Sequence, residues 1–195
     1  MTLPRLSTLL FISLLLGIVL PAGMSGAQEN EPDPDTIVLS DTLDYDDNER
    51  ESIFTGNVIM TRGDMTLHAD KLVLVEDEDG YQYGTATVST RPLVHIRQEN
   101  PEEFEVIEAQ GKRGEYDGKT EELTVIGQAV VTRFICGKPT DTIRGERVVY
   151  KQQTNTYHAY SGPESAAPKG RVRSLVQPRS KSDAAMEDCR QAAKP

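Results

Sequence analysis

The feature that most constrains this chain is a pattern written twice, 71 residues apart. Tyr45-Asp46 returns as Tyr116-Asp117, Gly56 as Gly127, Asn57-Val58 as Gln128-Ala129, and Thr61-Arg62 as Thr132-Arg133. After a five-residue insertion around Cys136 to Pro139, the stretch from Leu67 to Val73 is echoed by Ile143 to Val149. Within each copy apolar and polar side chains alternate, which is the period of a strand with one buried face. A glycine inside such a run marks a bend or a close backbone approach. Phe54 to Lys71 therefore reads as strand, turn at Arg62-Gly63-Asp64, strand. One such unit cannot bury its apolar side alone, so the fold is expected to be all-β and built by stacking strand–turn–strand units. The first and last strands of a stack are left with open edges, and open edges recruit further strands.

Composition agrees with strands. Tryptophan is absent and only four phenylalanines are present, so Val and Ile, interspersed with Thr and Tyr, must fill the core. No helical stripe of 12 or more residues is found. Strands are expected at 36–45, 51–62, 66–75, 81–89, 93–98, 104–116, 122–135, 142–150 and 156–160, with 170–178 able to add one more. These make a single domain over 36–179. Ahead of it, Arg5, an apolar run over 6–20, and Ser25 and Ala27 before Gln28 have the layout of a secretory signal peptide at 1–27. Residues 28–35 then read as a flexible acidic leader, and 180–195 as a flexible or weakly helical tail.

Charge is polarised along the chain. Residues 28–108 carry 21 acidic and 5 basic side chains, a balance of −16, whereas 109–195 carry 10 acidic and 15 basic, a balance of +5. The acidic half is unsuited to nucleic acid, whose phosphates require basic clusters. Opposite fields suit end-to-end contact between copies or partners, and equally a solvated surface with a basic tail. Arg171, Arg173, Arg179 and Lys181 form a late basic patch, fit for solubility, for an anionic amphiphile or for an acidic protein surface.

Catalytic signatures are missing. His68, His95 and His158 are far apart in sequence without metal-ligand spacing, and the acidic run 76–79 lacks the ligand pattern of a calcium loop. There is no nucleophile elbow, phosphate loop or dinucleotide fingerprint, so neither an enzyme nor a cofactor is expected. Asp70 and Glu146 occupy matching positions in the two copies, which fits a recurring structural role. Cys136 and Cys189 are the only cysteines; an oxidising compartment permits a bridge between them, and the sequence leaves their pairing open.

Alternation sorts the strand faces. Phe54, Gly56, Val58 and Met60 share one side of their strand, with Thr55, Asn57, Ile59 and Thr61 on the other. Leu123, Val125, Ala129 and Val131 line the matching face in the second copy. Such rows of small and aliphatic groups make either a dry core or a slot for acyl chains, where each buried CH₂ yields about 0.8 kcal/mol.

Together, Ser40-Asp41, Phe54-Thr55-Gly56-Asn57-Val58, Arg62-Gly63, Ala69-Asp70-Lys71, Ile96-Arg97-Gln98, residues 111–116, Leu123 with Gly127 and Ala129, Ile143-Arg144-Gly145 with Tyr150, and 171–179 resemble the OstA-like family of periplasmic lipopolysaccharide transport proteins, the LptA type. The resemblance implies a twisted, open β-jellyroll of two antiparallel sheets. It also implies a periplasmic protein that carries lipid A acyl chains in its interior, associates head to tail, and bridges an LptC-like inner-membrane component to an LptD-like outer-membrane component. Inward positions implied for lipid are Phe54, Val58, Met60, Leu67, Ile96, Leu123, Val125, Ala129 and Val131. Arg62 stands where the family often has Gln, and Gln128-Ala129 where Asn-Ala is commoner. The alternative expectation is a structural or adaptor β-solenoid that binds no lipid.

Overall fold

The computed structural model describes residues 34–192, so the expected signal peptide and most of the acidic leader lie outside the described residues. The alternating runs form β1 (Thr36–Leu39), β2 (Thr42–Asp46), β3 (Glu51–Arg62), β4 (Met65–Glu76), β5 (Gln82–Thr87), β6 (Val94–Asn100), β7 (Glu105–Gly111), β8 (Arg113–Asp117), β9 (Glu122–Ile135), β10 (Lys138–Lys151), β11 (Thr156–Tyr160) and β12 (Arg173–Leu175), followed by helix α1 (Arg179–Ala192). Each pairing is antiparallel.

Two layers emerge because the long strands run through both. The front layer is β2, 51–55 of β3, 71–76 of β4, β5, β8, 122–126 of β9, 147–151 of β10 and β11. The back layer is β1, 58–62 of β3, 65–69 of β4, β6, β7, 129–135 of β9, 138–145 of β10 and β12. The result is the open, all-β jellyroll that the sequence implied.

The change of layer is made by the repeated glycines. The β3–β4 register shifts between Thr55 and Val58, and the β9–β10 register shifts between Gly145 and Arg147, one extra residue being looped out each time. The bulge residues have left-handed backbones: Gly56 at φ +83° with Asn57 at +46°, and Gly127 at +70° with Gln128 at +54°. Glycine takes such angles without the Cβ clash other residues meet. Beside the first bulge the Asp41 N–H donates to the Gly56 carbonyl at 3.0 Å, and beside the second the Lys112 N–H donates to the Gly127 carbonyl at 2.8 Å. These contacts correct two expectations. The single strands expected over 36–45 and 104–116 are each split, β1/β2 and β7/β8, because the chain switches layers at Asp41 and at Lys112.

Opposite the bulges stand Asp70 and Glu146. One oxygen of Asp70 accepts from the backbone N–H groups of Ser89, Thr90 and Arg91 at 2.6, 2.5 and 3.0 Å, tying down the loop between β5 and β6. Glu146 accepts from the Glu164 N–H at 2.9 Å in the loop between β11 and β12. Their shared role is structural, as their matching positions suggested. The N–H groups of Thr90, Arg91 and Ser89 hold the Asp70 carboxyl well below the usual carboxylate range. Its folded value being depressed, the stability it contributes is complete above the unfolded value of about 3.9 and is lost as pH falls through the lower folded value. Urea midpoints measured downward from pH 6 are therefore expected to fall below about pH 4. Asp70→Asn is expected to lower stability at neutral pH and to flatten this acid limb; an unchanged limb would remove Asp70 as its cause.

Where a flexible or weakly helical tail was expected, α1 forms and is pinned to the β9–β10 turn by a disulfide between Cys136 and Cys189, Cα atoms 6.3 Å apart. Ser182, Ala185, Met186 and Cys189, spaced along one helical face, are the residues of this stretch that turn from solvent. With so narrow a buried stripe, α1 depends on the bridge. Reduction is expected to speed amide exchange across α1 and the three-residue β12 while leaving β3, β4 and β9 protected.

Candidate functional site: the slit between the layers

Register alignment places the inward side chains in rows. On the front layer Leu43, Phe54, Leu72, Ala86, Gly114, Val125, Val148 and Ala159 follow one another from strand to strand. On the back layer the row is Val38, Met60, Leu67, Ile96, Ala109, Val131 and Ile143. Apart from the exposed Leu43 and from Gly114, which has no side chain, both rows belong to one apolar cluster. Every residue named from the resemblance lies in that cluster: Val58, Met60, Leu67, Ile96, Val125, Ala129 and Val131 are buried, and Phe54 and Leu123 are partly buried against them.

At its centre the slit is closed by its own side chains. A Cβ on Gly114 would lie 3.4 Å from Ile96 Cδ1 and 3.5 Å from Val94 Cγ1, so the back layer reaches the front layer where the front layer has no side chain. Ile96 is 2% exposed.

The sequence nominations omit most of the front wall. Leu72, Leu74, Val148 and Tyr150 face inward because alternation changes phase in β4 and β10. Leu67 and Ala69 point in before Asp70, and Leu72 and Leu74 after it; Ile143 and Gly145 precede Glu146, and Val148 and Tyr150 follow. The signal that locates the phase change is the Asp/Glu facing the Gly-X bulge.

Polar groups collect on one rim of the slit. The Arg62 guanidinium sits 5.9 Å from the Tyr116 ring centre, joining the back layer to the front. Tyr150 and Tyr157 stack with ring centres 4.6 Å apart, and burial pushes both phenols up. Burial opposes the Arg133 charge, yet Glu105 and Asp141 outweigh it and raise the guanidinium above its ordinary value. The histidines read as far apart are in part neighbours. Away from that rim, on the outer face of the back layer, His68 pairs with His95 across β4 and β6, rings 6.4 Å apart, and burial followed by the His95 and Arg91 charges lowers His68.

The rows run out at both ends onto strands paired on one side only. Ile37, Leu39, Leu43 and Tyr45 on β1 and β2 are exposed, as are Tyr160, Val172, Leu175 and Val176 on or beside β11 and β12. Of the large apolar side chains exposed elsewhere among the described residues, Tyr81 is the one example.

Comparison with known proteins agrees with this architecture. The lipopolysaccharide export system protein LptH of Pseudomonas aeruginosa is 24% identical over 174 residues, spanning 87% of this chain and 95% of its own. The crystal structure of LptH, described as the LptA-homologous periplasmic component of the conserved lipopolysaccharide transport device, has the same fold. It matches with a TM-score of 0.63 at 24% identity, over 74% of this chain and 96% of that chain. Residues 37–156, covering both copies of the bulge and nearly all of the slit, match the family described as LptA/(LptD N-terminal domain) LPS transport protein. The chain belongs to that family.

Proposed function

We propose that this protein is a periplasmic carrier that shelters the acyl chains of lipopolysaccharide between its two layers and joins, edge to edge, a bridge from an LptC-like inner-membrane component to an LptD-like outer-membrane component. The observation that carries this reading is the continuity of the inward apolar rows from one open edge to the other. A passage of this kind needs no chemistry of its own, and the protein turns over no substrate. Sugars and phosphates stay outside the rim while each acyl CH₂ taken from water contributes about 0.8 kcal/mol. Cargo enters as Ile96 and Val94 separate from Gly114, the layers pivoting at the bulges, where the ladder is already interrupted.

Edge contact is steered by charge, because among the described residues 34–108 carry 18 acidic and 5 basic side chains, a balance of −13, and 109–192 carry 10 acidic and 14 basic, a balance of +4, giving the two halves of the stack opposite fields. Sedimentation of the purified protein is expected to show concentration-dependent oligomers that weaken as salt rises from about 50 to 500 mM. Leu39→Glu on β1, an exposed edge position outside the inward rows, is expected to abolish the oligomers while the monomer still binds lipopolysaccharide. The closed centre favours one competing reading, an adaptor β-solenoid with a dry core. Oligomers without lipopolysaccharide uptake would establish that alternative.

A further inference from the structure

The layer switch at the second bulge leaves a pocket on the outer side of the molecule, behind the inward rows. Register along the back layer carries one outward row from His68 through His95, Gln110 and Val130 to Arg144 and Arg173. Where Gln110, Val130 and Arg144 meet Gln128 of the bulge and residues 163–166 of the β11–β12 loop, they line a pocket of about 580 Å³. Leu93 and Lys112 complete its wall. That volume lies within the range of about 300–1,000 Å³ usual for small-molecule sites.

Two cations stand opposed at its edge. Arg144 of β10 and Arg173 of β12 are direct partners in register, which sets their Cβ atoms about 5 Å apart on the same face. Like charges so placed repel one another. Among the described residues no carboxylate pairs with either guanidinium. Lys112 is different, because Glu164 neutralises it at 2.7 Å. Glu146, two residues on from Arg144, accepts instead from the Glu164 N–H at 2.9 Å.

The sequence repeat shows that the scaffold does not demand these cations. Arg144 and Arg173 form the same cross-strand pair in the second copy that His68 and His95 form in the first. There His95 has the Glu108 carboxylate at 3.7 Å, and burial favours the neutral form of His68. At the 71-residue offset Lys112 replaces Asp41, and Gln110 replaces Leu39. The same strand positions thus change from imidazoles, an acid and an aliphatic group to permanent cations and an amide.

We propose that this pocket binds a phosphorylated sugar, its phosphate clamped between Arg144 and Arg173 and its ring lying against Gln110 and Gln128. Guanidinium groups match phosphate oxygens in bidentate fashion, and a dianion between two of them turns their repulsion into attraction. The side-chain amides of Gln110 and Gln128 are not engaged within the described residues, and each offers donors and an acceptor to hydroxyl groups. Leu93, Val130 and Ala166 supply apolar surface for the C–H face of the ring. The site lies outside the slit and goes beyond the acyl-chain reading. A free sugar phosphate and the headgroup of a phosphorylated glycolipid share the chemistry it recognises.

Calorimetric titration of the purified protein with glucose 6-phosphate, inorganic phosphate and glucose, at about 150 mM salt, tests the proposal. Glucose 6-phosphate is expected to bind saturably, phosphate more weakly, and glucose not measurably. Arg144→Gln and Arg173→Gln are each expected to weaken glucose 6-phosphate roughly tenfold, whereas Arg179→Gln on α1 leaves it unchanged. Without ligand both pocket variants should match or exceed the wild-type urea midpoint, since each removes one of two repelling charges; this separates lost binding from lost fold. No saturation by about 10 mM, equal binding of phosphate and glucose 6-phosphate, or an equal loss in Arg179→Gln would overturn the proposal. Repeating the titration with lipopolysaccharide present identifies the source of the phosphate. Competition assigns the pocket to the glycolipid headgroup, and unchanged affinity assigns it to a free sugar phosphate. Glucose 6-phosphate binding in a protein that takes up no lipopolysaccharide would defeat the carrier reading alone and leave this site standing.

Discussion

Gly56→Val is expected to destabilise the protein by about 3 kcal/mol. A loss of that size lowers the thermal midpoint by roughly 6–12 °C. Two costs combine. The backbone at Gly56 is held at φ +83°, where a β-branched side chain is a severe outlier. A Cβ there would also lie 2.1 Å from Asp41 Oδ2 and 2.8 Å from Asp41 Cβ. Moving Asp41 breaks its contact with Asn57 Nδ2 at 3.1 Å and disturbs the N–H it donates to the Gly56 carbonyl, which is where the chain passes from β1 to β2. Gly127→Val meets the same backbone penalty but looser surroundings, with Lys112 Cβ at 3.1 Å and Glu164 Oε2 at 3.2 Å, so its loss is expected to be smaller. Thermal unfolding that ranks the pair the other way, or finds both below about 1 kcal/mol, would show that the bulge does not set the layer switch.

Ile96→Ala is expected to cost about 2–5 kcal/mol, the usual price of truncating a fully buried aliphatic side chain. It also removes the atoms that reach Gly114, and so opens the slit at its point of closure. If that point is part of an acyl passage, adding lauric acid should restore a fraction of the lost stability to the variant, through binding to the native state alone. Wild-type protein, closed at the same point, should gain less. An Ile96→Ala protein whose urea midpoint ignores lauric acid would identify the centre as a core that collapses on its cavity.

Much of this was legible from residues alone. The offset between Gly56 and Gly127 located both bulges, because only a backbone demand explains a glycine kept in the middle of an apolar strand face. Alternation in β3 and β9 identified Phe54, Val58, Met60, Leu123, Val125, Ala129 and Val131 as inward, and the structure places each there. The reading faltered where one strand serves two layers. Leu72 and Val148 were passed over because alternation sorted the faces of β3 and β9 alone, and in β4 and β10 its phase is reset at Asp70 and Glu146. The pairing of His68 with His95 depends on a long-range register that no local window contains. Helix α1 was expected only as a flexible or weakly helical tail for a different reason: its stripe of Ser182, Ala185, Met186 and Cys189 is too short and too polar to signal a firm helix, and its attachment is covalent. Whether the interior is filled was equally hidden, since that is decided by Ile96 meeting a glycine on the facing layer.

The most direct measurement is photo-crosslinking in lipopolysaccharide-exporting cells, with the crosslinker placed in turn at the neighbouring positions Val58 and Ile59 of β3. Val58 is fully buried on the inner face, whereas Ile59 points to the opposite side of the strand beside His68. Capture of lipopolysaccharide at Val58 and little or none at Ile59 is the predicted result. Capture at Ile59 alone, or at neither position while export continues, would contradict passage of the lipid between the layers.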